Sequence, residues 1–150
     1  MGVYSEVLIA IESKNIKKKL LEFIGDAPLD VRKEWNENGW VDWNFGKNIF
    51  HAEEKPSEWI WEDSLETFDN PDTLFYRSDS RKWYYSEPYV RLADYIWKSF
   101  MDEYHDNEYE SDKPSGVYIV VGEDLAIQHD AFGMKQLARP KISIEYIWER

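Results

Sequence analysis

Apolar residues along this chain fall into two unbroken runs and several periodic ones. Val7-Leu8-Ile9-Ala10-Ile11 and Val117-Tyr118-Ile119-Val120-Val121 each hold five consecutive apolar residues, the pattern of a strand covered on both faces. Pro114-Ser115-Gly116 precedes the second run and Gly122 follows it, so both of its ends are punctuated. Between the runs, Val90, Ala93, Ile96, Trp97, Phe100 and Tyr104 recur at helical spacing, which predicts about four turns of amphipathic helix. Ser86-Glu87-Pro88 marks its start. The serine hydroxyl can cap, the acid sits near the positive helix end, and the proline's missing N–H costs nothing in the first turn.

An earlier helix is predicted from Ile16, Leu20, Phe23 and Ile24, with Ser13 or Asn15 as cap and Gly25 as stop. Lys17-Lys18-Lys19 lies on it and reads as a solvated face, an anion site being the alternative. Pro28 begins a shorter helix through Val31 and Trp35, ending near Asn38-Gly39. Trp40–Phe45 and Ile49–Ala52 around Gly46-Lys47-Asn48 are expected to pair as a hairpin. Leu74-Phe75-Tyr76 and Lys82-Trp83-Tyr84 flank a polar stretch and suggest a second one. Asp102–Asp112 is rich in acids, has no lysine or arginine, and is expected to be a solvated loop. Gly122-Glu123-Asp124 should turn the second run into Leu125-Ala126-Ile127. A last strand alternates Ile142, Ile144, Tyr146 and Trp148 against Ser143 and Glu145.

This order, β-α-(α)-β-β followed by β-α-β-β-β, predicts one α+β domain over residues 1–150. The expected architecture is a mostly antiparallel sheet with helices on one side. A ferredoxin-like core with a Trp-rich, acidic insertion is the leading topology.

Charge sharpens the picture. The net charge is −12, from 30 acidic and 18 basic residues. Residues 1–35 carry 6 bases against 6 acids, and residues 113–150 carry 5 against 5. Residues 36–72 carry 2 bases against 10 acids, and residues 73–112 carry 5 against 9, so the whole surplus lies mid-chain. Direct contact with a nucleic-acid backbone is disfavoured, because phosphates need a basic footprint. A basic protein surface is the complementary partner. Without cysteine there is no disulfide framework or thiolate site. Met1–Glu6 lacks a basic stretch and no apolar run approaches 18 residues. A soluble, cytoplasmic protein is therefore expected, with no membrane partner.

Little in the sequence points to catalysis. No phosphate loop, dinucleotide fingerprint, nucleophile elbow or zinc-protease helix is present. His105-Asp106 and His129-Asp130 are His-Asp dipeptides of the kind that ligate metals in phosphohydrolases, and His51-Ala52-Glu53 has strand spacing. Surface or structural roles explain all three as well, so neither catalytic residues nor a metal or cofactor is assigned. Glu123-Asp124 is the best-placed acid pair for proton transfer, and a hairpin turn accounts for it equally.

The eight tryptophans divide into two groups. Trp83, Trp97 and Trp148 sit on or beside apolar-periodic positions and suit the core. Trp40, Trp43, Trp59 and Trp61 lie among acids, including Glu58, Glu62, Asp63 and Glu66. These eight residues form the candidate partner surface, tryptophan being a favoured interface anchor. Packing beneath an irregular segment is the alternative.

Three short stretches also carry a resemblance: Gly2-Val3-Tyr4-Ser5-Glu6-Val7, Lys82-Trp83-Tyr84 and Val121-Gly122-Glu123-Asp124. Together they resemble small uncharacterised proteins of tailed phages, which pair an opening Gly-Tyr-Tyr-Ser-type strand with a Lys-Trp-Tyr segment and a closing Gly-Glu-Asp turn. Val3 stands where tyrosine is more usual. The resemblance implies a phage origin and carries over no catalytic residue. With the charge, it leads to the expectation of a non-enzymatic acidic protein that binds, and in doing so inhibits, a basic host protein in the host cytoplasm. A nucleic-acid-binding or defence protein is the expected target, reached by nucleic-acid mimicry. The competing expectation is a small metal-dependent phosphohydrolase or ligand-binding domain using the His-Asp dipeptides.

Overall fold

The strand β1 (Tyr4–Glu12) is the axis of the molecule, and Val7 through Ile11 on it are fully buried. The structure, a computed structural model, describes residues 4–46, 61–63, 72–107, 113–122, 127–133 and 138–140. After β1 come α1 (Ile16–Gly25) and α2 (Leu29–Glu34), then a π turn (Trp35–Gly39), the single turn α3 (Trp40–Asp42) and β2 (Trp43–Phe45). The remaining elements are β3 (Trp61–Asp63), β4 (Thr73–Lys82), α4 (Pro88–Asp106), β5 (Ser115–Gly122), β6 (Ile127–Phe132) and β7 (Ala138–Pro140).

Among the described residues, five strands form one sheet in the order β2-β4-β1-β5-β6, every neighbouring pair antiparallel, while β3 pairs antiparallel with β7. The connections explain that order. Because β4 and β5 both run antiparallel to β1, they run parallel to each other with β1 between them, and α4 makes the crossover. Likewise β1 and β2 are parallel with β4 between them, joined by α1 and α2. Two interleaved β-α-β units result, with β6 added beyond β5. This is an α+β fold with an antiparallel sheet, as the sequence pattern predicts.

Strand alternation separates two apolar layers. Val7, Ile9 and Ile11 of β1 join Leu74, Tyr76 and Val120 against Ile16, Leu20 and Ile24 of α1 and Leu92, Ala93, Ile96 and Phe100 of α4. Phe23 of α1 meets Phe100 edge-on, with ring centroids 5.0 Å apart. Leu8, Ala10, Phe75, Val117, Ile119 and Val121 form a second cluster on the face without described helices. The described helices therefore lie on one side. At its first turn α1 is tied to α4, since the Lys19 ammonium reaches Glu103 at 2.6 Å and donates to the Ser13 hydroxyl at 2.9 Å.

Several local expectations need correction. Trp40–Asp42 is a helical turn and Trp43–Phe45 pairs with β4, while 49–52, the other arm of the expected hairpin, lie outside the described residues. Leu74–Tyr76 and Lys82 are not two arms of a hairpin, because Thr73–Lys82 is one continuous strand. Its polar half reads as a turn, yet it pairs with Tyr4–Val7 across a bulge in which Asp79 and Ser80 oppose Glu6 alone. Asp102–Asp106 is helical, extending α4 beyond the start of the expected loop. The α4 cap position is Glu87 rather than Ser86, and neither α1 nor α4 has a side-chain cap bond. Pro88 does open α4. Asn15 precedes α1 in the left-handed region at φ 55°, which asparagine tolerates better than most residues. The turn at 123–126 and the strand expected at 142–148 lie outside the described residues.

Candidate functional site

One cavity among the described residues lies between α4 and the β5-β6 end of the sheet. On α4, Val90, Asp94 and Trp97 are spaced by four and three residues and so share one stripe. The register of β5 against β6 sets Tyr118 opposite Asp130 and Val120 opposite Gln128, all on the helix-side face. Gln128 and Asp130 remain exposed on that face. Trp83 and Tyr85, from the link between β4 and α4, close one end. These elements enclose a pocket of about 400 Å³ that is also bordered by His129. Strand alternation assigns the His129 imidazole to the opposite face, with its partner position Ile119.

Hydrogen bonds fix the polar groups of this pocket. The Trp83 indole N–H donates to the Tyr118 hydroxyl at 2.8 Å, and that hydroxyl donates to Asp94 Oδ1 at 2.9 Å. The Trp97 indole N–H donates to Asp130 Oδ2 at 3.2 Å, and the Ala131 N–H donates to Asp130 Oδ1 at 2.9 Å. Tyr118 stands edge-on to both indoles, its ring centroid 5.6 Å from that of Trp97 and 6.3 Å from that of Trp83. Trp97 leans on Phe132, centroids 4.7 Å apart.

The electrostatics follow from this placement. Burial raises the Asp94 carboxyl above its ordinary value, and the Tyr118 hydrogen bond pulls it partly back. Burial pushes the Tyr118 phenol far up, and the Asp94 charge pushes it further. Tyr118 therefore stays protonated and serves as a donor, not as a base. None of the described residues lining the pocket is lysine or arginine. The site offers acidic acceptors on two walls and aromatic surface between them.

Elsewhere, an open groove of about 520 Å³ runs between α1 and α4 past Glu22, Asp102, Glu103 and Asp106. Lys19 lines it too and is paired with Glu103, so one of its acids already has a cation. The chain's own Arg81 guanidinium is held between aromatic and acidic groups. Arg81 lies over the Tyr89 ring at 3.6 Å, donates to the Tyr76 hydroxyl at 2.7 Å, and reaches Asp42 at 3.5 Å.

The residues expected to form a partner surface separate. Trp40 is 51% exposed and rests on Trp35, ring centroids 5.1 Å apart. Trp43 is only 3% exposed and packs on Tyr76 at 5.1 Å, so it belongs to the core and is not an available anchor. Its place on β2, beside the central part of β4, is what buries it. Trp61, Glu62 and Asp63 form β3 and pair with Pro140, Arg139 and Ala138. Glu58, Trp59 and Glu66 lie outside the described residues, as does His51. His105 occupies the last turn of α4, and His129 lies within β6. Among the described residues no three His, Cys, Asp or Glu side chains are grouped to hold a metal ion.

Sequence reasoning assigned Trp83 and Trp97 to packing and missed the site they line. One signal was available: Asp94 is an acid inside the apolar stripe of α4, between Val90 and Trp97. Comparison with protein-family models, with curated proteins and with solved structures found no match to this chain.

Proposed function

We propose that this chain is a non-enzymatic acidic interaction protein, encoded by a phage, that binds and inhibits a basic protein in the host cytoplasm. The observation that supports this reading is charge, 30 acids against 18 bases with the surplus confined to residues 36–112. Carboxylates fixed on a folded surface can occupy sites built for phosphates, which makes a nucleic-acid-binding or defence protein the target class. Exposed apolar side chains at Leu29, Trp40 and Val41 stand next in sequence to acids or, for Trp40, within three residues of Glu37. Steering and anchoring groups thus occur together. For the fold, we propose that β2-β4-β1-β5 is a ferredoxin-like core, on its strand order and two interleaved β-α-β units.

The test is retention from bacterial lysate on immobilised protein, followed by association kinetics of each retained protein across ionic strength. A basic partner whose association slows steeply with added salt is expected. Retention of acidic proteins alone, or association rates indifferent to salt, would overturn the reading.

A further inference from the structure

We propose that the pocket between α4 and β6 receives a guanidinium group, an arginine side chain presented by the basic partner. The inference rests on the partner reading above and adds the chemistry by which one partner residue is recognised.

Three observations carry it. First, the cavity has acids on opposing walls, Asp94 from the helix and Asp130 from the sheet, and no described lysine or arginine lines it; the His129 imidazole belongs to the opposite face. Anions are disfavoured there, and a cation would add a charge partner to carboxylates whose hydrogen-bond partners among the described residues are neutral donors. Second, the acids are already oriented. Tyr118 engages Asp94 through Oδ1, leaving Oδ2 without a hydrogen-bond partner among the described residues, and Trp97 and the Ala131 N–H hold Asp130 in place. Rigid acceptors need no reordering when a ligand arrives. Third, the surfaces between them are the rings of Trp83, Tyr85, Trp97 and Tyr118. A planar cation can stack on such faces while its N–H groups reach carboxylates at its edge.

The choice of guanidinium over ammonium follows from that combination of flat walls and forked acceptors. Arg81 provides an instance within the same chain: its guanidinium lies on the Tyr89 ring with a tyrosine hydroxyl and Asp42 at its edge. The pocket repeats those components, an aromatic face, a tyrosine hydroxyl and a carboxylate, around a space of about 400 Å³. That volume is suited to a side-chain head and part of its stem.

The experiment follows the indole N–H resonances of Trp83 and Trp97 by NMR, assigned with Trp83→Phe and Trp97→Phe, during titration with N-acetyl-arginine amide. N-acetyl-citrulline amide, of the same shape without the charge, and N-acetyl-lysine amide are the comparators. Both indole signals should shift saturably with the arginine amide, respond roughly tenfold more weakly to the lysine amide, and not saturate with the citrulline amide. Asp94→Asn and Asp130→Asn should each weaken arginine binding by roughly tenfold. The rest of each spectrum reports folding. Should Asp94→Asn fail to fold, Asp130→Asn decides, because Asp130 lies on an exposed strand position. Absence of a saturable shift overturns the proposal. So does an equal response to citrulline or lysine amide, or unchanged arginine binding by the folded Asn variants. The two readings fail separately. If arginine amide binds but lysate yields no basic partner, the pocket assignment stands and the partner reading falls. If a basic partner binds the double Asn variant as tightly as the parent, the pocket assignment falls and the partner reading stands.

Discussion

Gly116 tests how the wall of the pocket is built. It opens the apolar part of β5, opposite Phe132 of β6. A Cβ at this position would lie 2.7 Å from Phe132 Cζ and 2.8 Å from both Phe132 Cε2 and Trp97 Cζ3. Carbon atoms rest about 3.5–4.0 Å apart, so the rings would have to retreat by on the order of 1 Å. Neither has room. Phe132 and Trp97 are both buried, and Phe132 is also backed by Tyr104, ring centroids 5.8 Å apart. Overpacking of this kind costs about 1–3 kcal/mol. Loss of glycine's freedom in the unfolded chain returns about 0.4–1 kcal/mol. Gly116→Ala should therefore destabilise the protein by roughly 1–2 kcal/mol, read from the urea midpoint at unchanged slope. It should also move the Trp97 indole resonance, because the displaced ring carries the N–H bonded to Asp130. Phe132→Leu supplies the control. It should cost less in the Gly116→Ala background than alone, with a coupling of about 0.5–3 kcal/mol. Equal or greater stability of Gly116→Ala, or strict additivity with Phe132→Leu, would refute this account of the packing.

Other expectations follow from burial and charge. Ile119→Ala and Leu8→Ala, both fully buried on the face without described helices, should each cost about 2–5 kcal/mol in chemical denaturation. A nearly neutral result at either would remove the central-strand assignment. Trp43→Ala should cost about 3–5 kcal/mol as a core truncation, whereas Trp40→Ala, half exposed against Trp35, should cost roughly 1 kcal/mol. Asp94, raised by burial, binds its proton more tightly folded than unfolded. Its ionisation therefore removes stability as pH climbs from about 4 through the folded value, and Asp94→Asn should improve relative to the parent over that rise. A pH-independent difference between the two would count against the shift. Neutralising Glu58, Glu62, Asp63 and Glu66 together should slow association with a basic partner and flatten its salt dependence, with little effect on dissociation. Unchanged rates and salt dependence would return Trp59 and Trp61 to a packing role.

What could be read from the sequence was set by how locally each feature is determined. The five-residue apolar runs of β1 and β5 are legible because burial on both faces leaves no polar position to confuse them. The helix α4 is legible because its apolar period and Pro88 agree. The strand β4 is not, since Arg77 to Lys82 has no apolar alternation and its strand state depends on pairing with Tyr4–Val7 and on Tyr76 and Tyr89 holding Arg81. The exposure of Trp40 and the burial of Trp43 could not be told apart by composition, as both stand among acids. A turn of helix points one outward, and pairing with β4 buries the other.

The pocket illustrates the same limit at the level of a site. Its two acids are 36 positions apart, and they face one cavity only because β5 pairs with β6 in the register Tyr118 to Asp130. Slipping β6 by one residue would put His129 on the helix side and carry Asp130 to the other face. The His-Asp dipeptide thus presents its two side chains to opposite faces of the sheet, and the register selects the aspartate for the cavity. The same register leaves Trp97 able to donate to Asp130 and Tyr118 to Asp94. The two indoles that sequence periodicity assigns to packing thereby acquire a second role, each apolar body forming part of the wall while its N–H fixes a polar group. A tryptophan at such a position can be replaced by phenylalanine at modest cost in packing but not in polar order. The signature that separates a site from a core here is the hydrogen bond of the indole, which depends on the folded register and on nothing local to the tryptophan.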